Sequence, residues 1–283
     1  MLEWGRRTYV MGIVNVTPDS FSGDGLALAA AFERQATAQA VAFLADGADI
    51  VDIGGESTRP GSVPVTADEE KARVLPAIRA MRAAAPDALI SVDTYRADVA
   101  EAALDAGADW INDVWGLRMD ARMAGLVAER GCPVVIMHNR SQPKDVAQEQ
   151  RLGGRYVGVH YDDLLDDVKA ELSEQVELAF AAGVRPEQII LDPGIGFGKT
   201  VAQNLELLDR LGELKALGFP LLIGPSRKSF IGFTLDLPPE QRLEGTAATV
   251  AIGIARGADI VRVHDVAAMA RIARMTDAIV RRV

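Results

Sequence analysis

The sequence has few of the residues from which disulfides and metal centres are built. Its 283 residues include one cysteine, Cys132, and three histidines. A single cysteine excludes an intrachain disulfide and any zinc or iron–sulfur site built from several cysteines. Long apolar runs are also missing, since no stretch approaches the roughly 18 residues needed to cross a bilayer. These absences argue against export and membrane insertion, and we expect a protein of the reducing cytoplasm.

Positive charge is in the minority. The chain carries 40 acidic and 30 basic side chains, which gives a formal net charge of −10. An acidic protein is repelled by phosphate backbones and anionic lipids, so we expect neither a nucleic-acid nor a membrane partner bound through bulk charge. Any anionic ligand must therefore be bound by a local cluster of cations.

One pattern repeats along the chain. Short β-branched runs alternate with longer alanine-rich segments of helical period, which is typical of parallel βαβ units. Three units share a Gly-Ala-Asp junction, at 47–49, 107–109 and 257–259. Glycine there suits the left-handed residue that ends a helix just before a strand. The eight predicted strands are 9–16, 49–54, 89–94, 110–114, 133–138, 189–193, 220–224 and 260–264.

Eight β/α units in a chain of this length predict an α/β fold, a (β/α)8 TIM barrel that forms a single domain over residues 1–283. An open doubly wound sheet is the alternative, but it usually carries a glycine-rich dinucleotide turn after its first strand. Here residues 15–20 follow that strand instead. The least regular stretch, 139–159, is predicted to be a loop with one helical turn. It could be a mobile lid or an inert insertion, and we favour the insertion.

Polar residues stand at the carboxyl ends of nearly all the predicted strands. In a (β/α)8 barrel these ends share one rim, where active sites are built. Any one of them could be a helix cap or half of a structural ion pair, but eight on one rim predict a polar mouth. They are Asn15, the segment 54–61, Asp93, Asn112 with Asp113, His138 with Asn139, Asp192, the segment 224–229 and the segment 262–265.

The cations of this rim cluster on the seventh and eighth predicted strands and the turn that follows the seventh. Barrels often bind phosphate there, between loop amides, a helix N-terminus and basic groups. A cluster of positive charge is unexpected in so acidic a chain, and it predicts a phosphate site. The residues that could form it are Ser226, Arg227, Lys228, Arg262 and His264.

Two carboxylates face the same mouth from opposite sides. Asp93 and Asp192 end the third and sixth predicted strands, so both can reach a ligand at the centre of the barrel. An ionised carboxylate accepts two parallel hydrogen bonds from planar N–H groups, such as the guanidine-like edge of a heterocycle. Asn112 can add a donor and an acceptor. The residues therefore predict a ligand with a planar, donor-rich ring at one end and phosphate at the other.

Two other patterns are weaker. Gly-Lys-Thr at 198–200 resembles the end of a nucleotide-binding P-loop, but that motif requires glycine at position 193, where a proline stands. His138 and His264 could bind zinc from two strands, yet no helix carries two histidines at ligand spacing. We favour a hydrogen-bonding role for His264, and a structural partner for His138 rather than a role as catalytic base.

At these positions the sequence resembles the dihydropteroate synthase family. The resemblance covers almost the whole chain, with seven motifs in the family's order. Two departures are present: Gly-Asp-Gly at 23–25, where the family commonly has Asp-Gly-Gly, and Ile195, where an aromatic residue is frequent. The motifs are MGIVNVTPDSFS at 11–22, DIGGESTRPG at 52–61, SVDT at 91–94, IND at 111–113, DPGIGFGK at 192–199, SRKS at 226–229 and RVHD at 262–265.

The resemblance implies a transferase of folate biosynthesis, and an enzyme of this family is expected to be a target of sulfonamides. It would join 6-hydroxymethyl-7,8-dihydropterin diphosphate to 4-aminobenzoate, giving 7,8-dihydropteroate and diphosphate. The pterin ring would be bound by Asp93, Asn112, Asp192 and Lys228. The diphosphate end would be served by Asn15 together with Mg²⁺, and by Thr58, Ser226, Arg262 and His264. The aminobenzoate pocket would be formed by Arg59, Pro60, Phe197, Lys228 and Ser229.

The resemblance also implies a mechanism and an assembly. Cleavage of the bond between the pterin methylene and oxygen would be dissociative (SN1-like), with the cation delocalised over the pterin and no protein nucleophile. Arg262, His264 and Mg²⁺ would neutralise the departing diphosphate. The predicted catalytic residues are Asp93, Lys228, Arg262 and His264. The family also implies a homodimer.

Two alternative functions remain open. A pterin-binding methyltransferase would share the barrel and the ring-binding residues, but it has no need of a diphosphate site. A catalytically silent paralogue that binds pterin would be expected to have lost part of the first two motifs, and both are present here. Neither alternative explains the whole rim as well as the synthase does.

Overall fold

The computed structural model describes residues 2–16, 26–56, 64–142, 145–149 and 151–282. The strands in these ranges are β1 (Tyr9–Asn15), β2 (Ile50–Gly54), β3 (Leu89–Asp93), β4 (Trp110–Asp113), β5 (Val134–Met137), β6 (Val146–Ala147), β7 (Arg155–Tyr156), β8 (Ile189–Asp192), β9 (Leu222–Ile223) and β10 (Ile260–Val263). The α-helices are α1 (Leu26–Ala45), α2 (Ala67–Ala84), α3 (Ala97–Asp105), α4 (Met123–Arg130), α5 (Leu164–Ala181), α6 (Val201–Asp209), α7 (Ser229–Leu235), α8 (Leu243–Ala255) and α9 (Val266–Val280). Within the described ranges, no helix combines the length and apolarity that a membrane crossing requires.

The eight strands other than β6 and β7 form one parallel sheet that closes into a barrel. Their order is β8-β5-β4-β3-β2-β1-β10-β9. The two outer strands meet where Leu191 bridges Leu221 in parallel, and the Leu191 amide donates to the Pro220 carbonyl at 2.9 Å. The predicted (β/α)8 barrel is therefore confirmed, and the doubly wound alternative is wrong. All eight predicted strands are present, and seven of them end one residue earlier than predicted.

The segment 139–159 differs from its prediction. It contains a short antiparallel hairpin, β6 paired with β7, which was not predicted. The predicted helical turn is present as well, since the Gly153 amide donates to the Glu149 carbonyl at 2.8 Å. Gly153 adopts a positive φ of 87° in the connection, a conformation that glycine tolerates without steric cost. Arg242, which is buried on the barrel, donates to the carbonyl of Leu152 at 3.2 Å. This insertion is therefore fastened to the part of the barrel near α8.

Side chains inside the barrel change from apolar to polar toward the carboxyl ends of the strands. Successive residues of a strand point to opposite faces, so every second residue points inward. The first inward layer is the apolar cluster Tyr9, Met11, Ile50, Trp110, Val135, Ile190, Leu222 and Ile260. Two residues further along, the inward positions carry Asp52, Asn112, Asp192 and Arg262. The same alternation that fills the lower half of the barrel thus places a polar set above it.

The three Gly-Ala-Asp junctions share one structure. Each glycine has a positive φ, between 100° and 112°, as the sequence predicts. Each aspartate then accepts a hydrogen bond from a backbone amide of the preceding strand in the sheet and pairs with a nearby cation. The three sets are Asp49 with Val10 N and Arg7, Asp109 with Ile90 N and Arg82, and Asp259 with Leu221 N and Lys215.

Replacing Asp259 with alanine is expected to lower the free energy of unfolding by about 2–3 kcal/mol, because the Leu221 amide loses its acceptor inside the protein. The Asp259 side chain is 2% exposed, whereas that of Asp109 is 37% exposed and water can replace it. Asp109→Ala is therefore the matched control, with a smaller expected loss. Urea denaturation of both variants measures the difference, and an equal or larger loss for Asp109→Ala would contradict the explanation.

Candidate active site

Arg262 lies at the centre of the polar end of the barrel. Its Nε donates to Asp52 Oδ2 and its Nη2 donates to Asp93 Oδ2, both at 2.6 Å. The Asp52 side chain is fully buried and that of Asp93 is nearly so. One guanidinium from β10 therefore joins carboxylates from β2 and β3 inside the barrel.

Burial and charge shift the proton equilibria of this group. Burial raises the pKa of Asp93 to about 7, although the Arg262 guanidinium acts in the opposite direction. Burial by itself lowers the pKa of Arg262, but the carboxylates of Asp52 and Asp93 outweigh it and the net shift is upward. Arg262 therefore stays charged, while Asp93 can change its protonation near neutral pH.

Asp52 is a site residue that sequence reasoning missed. Its Oδ2 also accepts from Asn112 Nδ2 at 3.0 Å, so it holds both Asn112 and Arg262 in place. Its other oxygen, Oδ1, has no hydrogen-bond partner among the described residues. Asp52 lies within a strand rather than at its end, and the rim pattern therefore did not include it. The available signal was a lone acid inside an otherwise apolar run, Ile50–Gly54.

Asp192 and Lys228 form the opposite wall of the pocket. Asp192 Oδ1 accepts from the Gly194 amide at 2.7 Å, and burial raises the pKa of this carboxyl. Lys228 Nζ donates to the carbonyl of Ile195 and lies 4.1 Å from the centre of the Phe197 ring. Burial lowers the pKa of Lys228 to about 7, against the opposing effect of the Asp192 carboxylate. The ammonium thus lies between an acid and an aromatic face.

Ser226 and His264 lie together at the ends of the last two barrel strands. Ser226 Oγ accepts from the His264 amide at 3.2 Å and lies 3.0 Å from His264 Nδ1. Ser226 is buried, and His264 is half-buried. The predicted phosphate residues Ser226, Lys228, Arg262 and His264 therefore follow one another around the same end of the barrel.

Arg227, which the sequence offered as a fifth phosphate ligand, does not join them. It adopts a left-handed backbone conformation with φ of 56°, and its guanidinium pairs with Asp265 at the surface. Its amide donates to Thr246 Oγ1 at 3.1 Å, and its carbonyl accepts from Arg242 at 2.9 Å. The turn is thus fixed from three directions, and Arg227 serves the turn instead of the mouth.

The remaining predicted residues fall into two groups. Asn15 is the exposed last residue of β1, and Ser229 is the half-buried first residue of α7. Thr58, Arg59 and Pro60 lie outside the described residues, as does the Gly-Asp-Gly departure at 23–25. Within the described part of the chain, no group of three or more His, Cys, Asp and Glu residues could hold a metal ion by itself.

The chain matches a known family over most of its length. The family model described as "Pterin binding enzyme" matches residues 11–264. The curated dihydropteroate synthase of Synechocystis sp. is 50% identical over 284 aligned residues, which cover 99% of this chain and 93% of the relative.

Solved structures of dihydropteroate synthases also match this chain. The crystal structure of a dihydropteroate synthase from Clostridium difficile in the presence of pteroic acid has a TM-score of 0.89 and 48% identity, covering 99% of this chain and 100% of that one. The enzyme from Xanthomonas albilineans in complex with 7,8-dihydropteroate has a TM-score of 0.82 and 38% identity, covering 97% and 96%. These matches set aside the methyltransferase and silent-paralogue alternatives. The chain therefore belongs to the dihydropteroate synthase family of pterin-binding transferases.

Proposed function

We propose that this enzyme joins 6-hydroxymethyl-7,8-dihydropterin diphosphate to 4-aminobenzoate by a dissociative displacement, and that it does so in the cytoplasm. The observation that carries the proposal is one pocket with buried acids, Asp93 and Asp192, beside the cations Lys228 and Arg262. Acids suit the N–H donors of the pterin, and cations suit the diphosphate. Solved relatives with this fold were determined with pteroic acid and with 7,8-dihydropteroate, which supports a pterin-containing ligand for this chain.

The ring end of the pocket is assigned to Asp93, Asn112 and Asp192, with Lys228 beside them. Asp93 and Asp192 each retain accepting capacity beyond the single bond described for them, because a carboxylate can accept about four hydrogen bonds. Asn112 is already oriented by its bond to Asp52. The pterin would therefore enter a site whose polar groups need little rearrangement, which favours affinity.

The chemical step breaks the bond between the pterin methylene carbon and the bridging oxygen. Its electron pair leaves with the diphosphate, and the positive charge on the carbon is delocalised over the pterin. Arg262, Ser226 and His264 stabilise the growing negative charge at the departing end. The amine of 4-aminobenzoate then attacks the carbon and loses a proton to water or to the departing diphosphate, so no protein nucleophile takes part.

Asn15 suits a magnesium ion that arrives with the substrate. Mg²⁺ prefers oxygen ligands and is usually held by one or two protein groups together with substrate phosphates and water. Asn15 offers an amide oxygen at the exposed end of β1, beside Gly54 in the sheet register. An ion held there would supply further positive charge to the leaving group.

A test of the dissociative step uses pterin diphosphate in which the oxygen between the pterin methylene carbon and phosphorus is a heavy isotope. Incubation with enzyme and Mg²⁺, but without 4-aminobenzoate, should scramble the label into the non-bridging oxygens of the same phosphate, because the bond breaks and re-forms. Substrate recovered without scrambling, from enzyme that makes dihydropteroate when 4-aminobenzoate is added, would count against reversible dissociation.

Sulfonamides are expected to compete with 4-aminobenzoate. They resemble it in shape, and Phe197, Lys228 and Ser229, together with Arg59 and Pro60, are assigned to its pocket. The concentration of sulfanilamide that halves the rate should rise in proportion to added 4-aminobenzoate. Inhibition that is independent of 4-aminobenzoate would contradict a shared pocket.

We propose that the enzyme is a homodimer through α8 and α9. These helices pack on each other and expose large apolar side chains, with Ile252 at 49%, Met275 at 62% and Ile279 at 64% exposure. Clustered exposed apolar residues are typical of subunit contacts. Light scattering should give twice the chain mass, and Ile279→Asp should lower it toward one chain. A monomeric wild-type protein would overturn this assignment.

A further inference from the structure

Lys199 is a fully buried lysine that the proposed reaction does not use. It follows the loop after β8, and its side chain is 2% exposed. Its Nζ lies 3.0 Å from His138 Nδ1, and donates to the carbonyls of Phe197 at 3.1 Å and Gly194 at 3.3 Å. An ammonium group has three N–H donors, and these three acceptors use all of them.

His138 lies between this lysine and Glu171 of α5. A lysine ammonium can only donate, so His138 Nδ1 accepts and the ring proton stands on Nε2. Nε2 lies 3.0 Å from Glu171 Oε2, and Arg140 Nε donates to Glu171 Oε1 at 2.8 Å. Burial, and then the charge of Lys199, lower the pKa of His138 to about 4, so the ring is neutral at physiological pH. His138 therefore has a structural partner, as the sequence analysis favoured.

The loop between β8 and Lys199 is fixed from its inner side. A Cβ on Gly194 would stand 1.9 Å from the His138 carbonyl oxygen, so only glycine fits against this residue. Tyr161 donates to the Gly198 carbonyl at 2.9 Å. Lys199 fills the space behind the loop and bonds the carbonyls on either side of Ile195.

The outer side of the same loop forms part of the pocket. The Ile195 carbonyl accepts from Lys228, and the Phe197 ring lies against the Lys228 ammonium. Lys199 therefore bonds the backbone at Gly194 and at Phe197. The two groups that contact Lys228, which are the Ile195 carbonyl and the Phe197 ring, belong to the segment between these bonds. Loss of the inner bonds would leave Phe197 free to move relative to Lys228.

We propose that Lys199, with His138 as its acceptor, is a positioning residue that sets the affinity for 4-aminobenzoate by holding Phe197 and the Ile195 carbonyl against Lys228. This inference rests on the proposed function, in which Phe197 and Lys228 line the aminobenzoate pocket. Burial also lowers the pKa of Lys199 to about 7, because the charged form of a lysine is costly to bury. A costly buried cation is consistent with a demand for a specific loop geometry.

The first test is Lys199→Met, which keeps the side-chain length and removes the donors. The KM for 4-aminobenzoate should rise about tenfold or more, and the inhibition constant of sulfanilamide should rise in parallel. The dissociation constant of pterin diphosphate, measured without 4-aminobenzoate, should stay within about twofold of wild type. Lys169→Met, at a lysine on the outer face of α5, is the matched control and should change none of these values.

The second test is a pair of variants at His138, which serves if Lys199→Met does not fold. His138→Asn places an amide oxygen near the position of Nδ1 and should keep an affinity for 4-aminobenzoate close to that of wild type. His138→Leu removes the acceptor and should raise the KM for 4-aminobenzoate. Both variants are first checked for a wild-type circular dichroism spectrum.

The outcomes separate this inference from the proposed function. Wild-type enzyme that forms dihydropteroate supports the function whatever the variants do. The positioning role is overturned if Lys199→Met weakens both substrates equally or neither of them, or if His138→Asn and His138→Leu behave alike. Wild-type enzyme that forms no dihydropteroate would overturn the function itself.

Discussion

Replacing Arg262 with methionine is expected to lower kcat/KM for dihydropteroate formation by about 10²–10³-fold, the usual cost of removing one donor that stabilises a developing anion. Binding of 6-hydroxymethylpterin, which lacks the diphosphate, should fall much less. Some loss is expected there as well, because Arg262 also neutralises Asp52 and Asp93. Steady-state kinetics and calorimetry with the diphosphate-free pterin measure the two effects.

Arg227→Met is the matched control for this experiment. Arg262 lies in β10 and Arg227 follows β9, which is the neighbouring strand in the sheet, but Arg227 pairs with Asp265 at the surface. Its loss should leave most of the activity in place. Equal losses of turnover and of diphosphate-free pterin binding in Arg262→Met would contradict its assignment to the leaving group.

Replacing Asp93 with asparagine is expected to weaken pterin diphosphate binding by about 1.5–3 kcal/mol, because the ring N–H groups lose a charged acceptor. The pH dependence should change as well. In the wild type, the pKa of Asp93 is raised to about 7 in the free enzyme, so its carboxyl ionises as the pH rises through that value. Binding should therefore strengthen as the pH rises through that value, until loss of the Lys228 proton opposes it. A plot of affinity against pH should thus have a rising limb. The rising limb should disappear in Asp93→Asn.

Asp113→Asn is a suitable comparison for Asp93→Asn. Asp113 is also a buried aspartate at the end of a barrel strand, but its oxygens accept from the amides of Trp115 and Leu117 at 2.8 Å. Its replacement should lower stability while the rising limb is retained. Calorimetric titrations at several pH values distinguish the two variants, and a rising limb that persists in Asp93→Asn would assign the limb to another group.

Most of the barrel could be predicted from sequence because its signals are local. The buried runs, the helical period between them and the Gly-Ala-Asp junctions each depend on a few neighbouring residues. The hairpin of β6 and β7 carries no such signal, since two-residue strands are too short to show a period. Its position depends on contacts such as that from Arg242 to Leu152, which are 90 residues apart.

The site could be predicted in composition but not in its pairings. Closure of a barrel brings strand ends together, so Asp93, Asp192 and Arg262 could be placed on one rim from their positions alone. The choice between Arg227 and Arg262 depends on a left-handed backbone at position 227, which the sequence does not reveal. The contact between His138 and Lys199 joins residues 61 positions apart, so it needed the folded chain.

The most direct test of the central claim is a crystal structure of the enzyme with pterin diphosphate bound. We expect the ring N–H groups within about 3 Å of the Asp93 and Asp192 carboxylates, the distance of a good hydrogen bond. We expect the diphosphate at Ser226, Arg262 and His264. A ring bound outside the barrel mouth, or a diphosphate bound away from Arg262, would contradict the account.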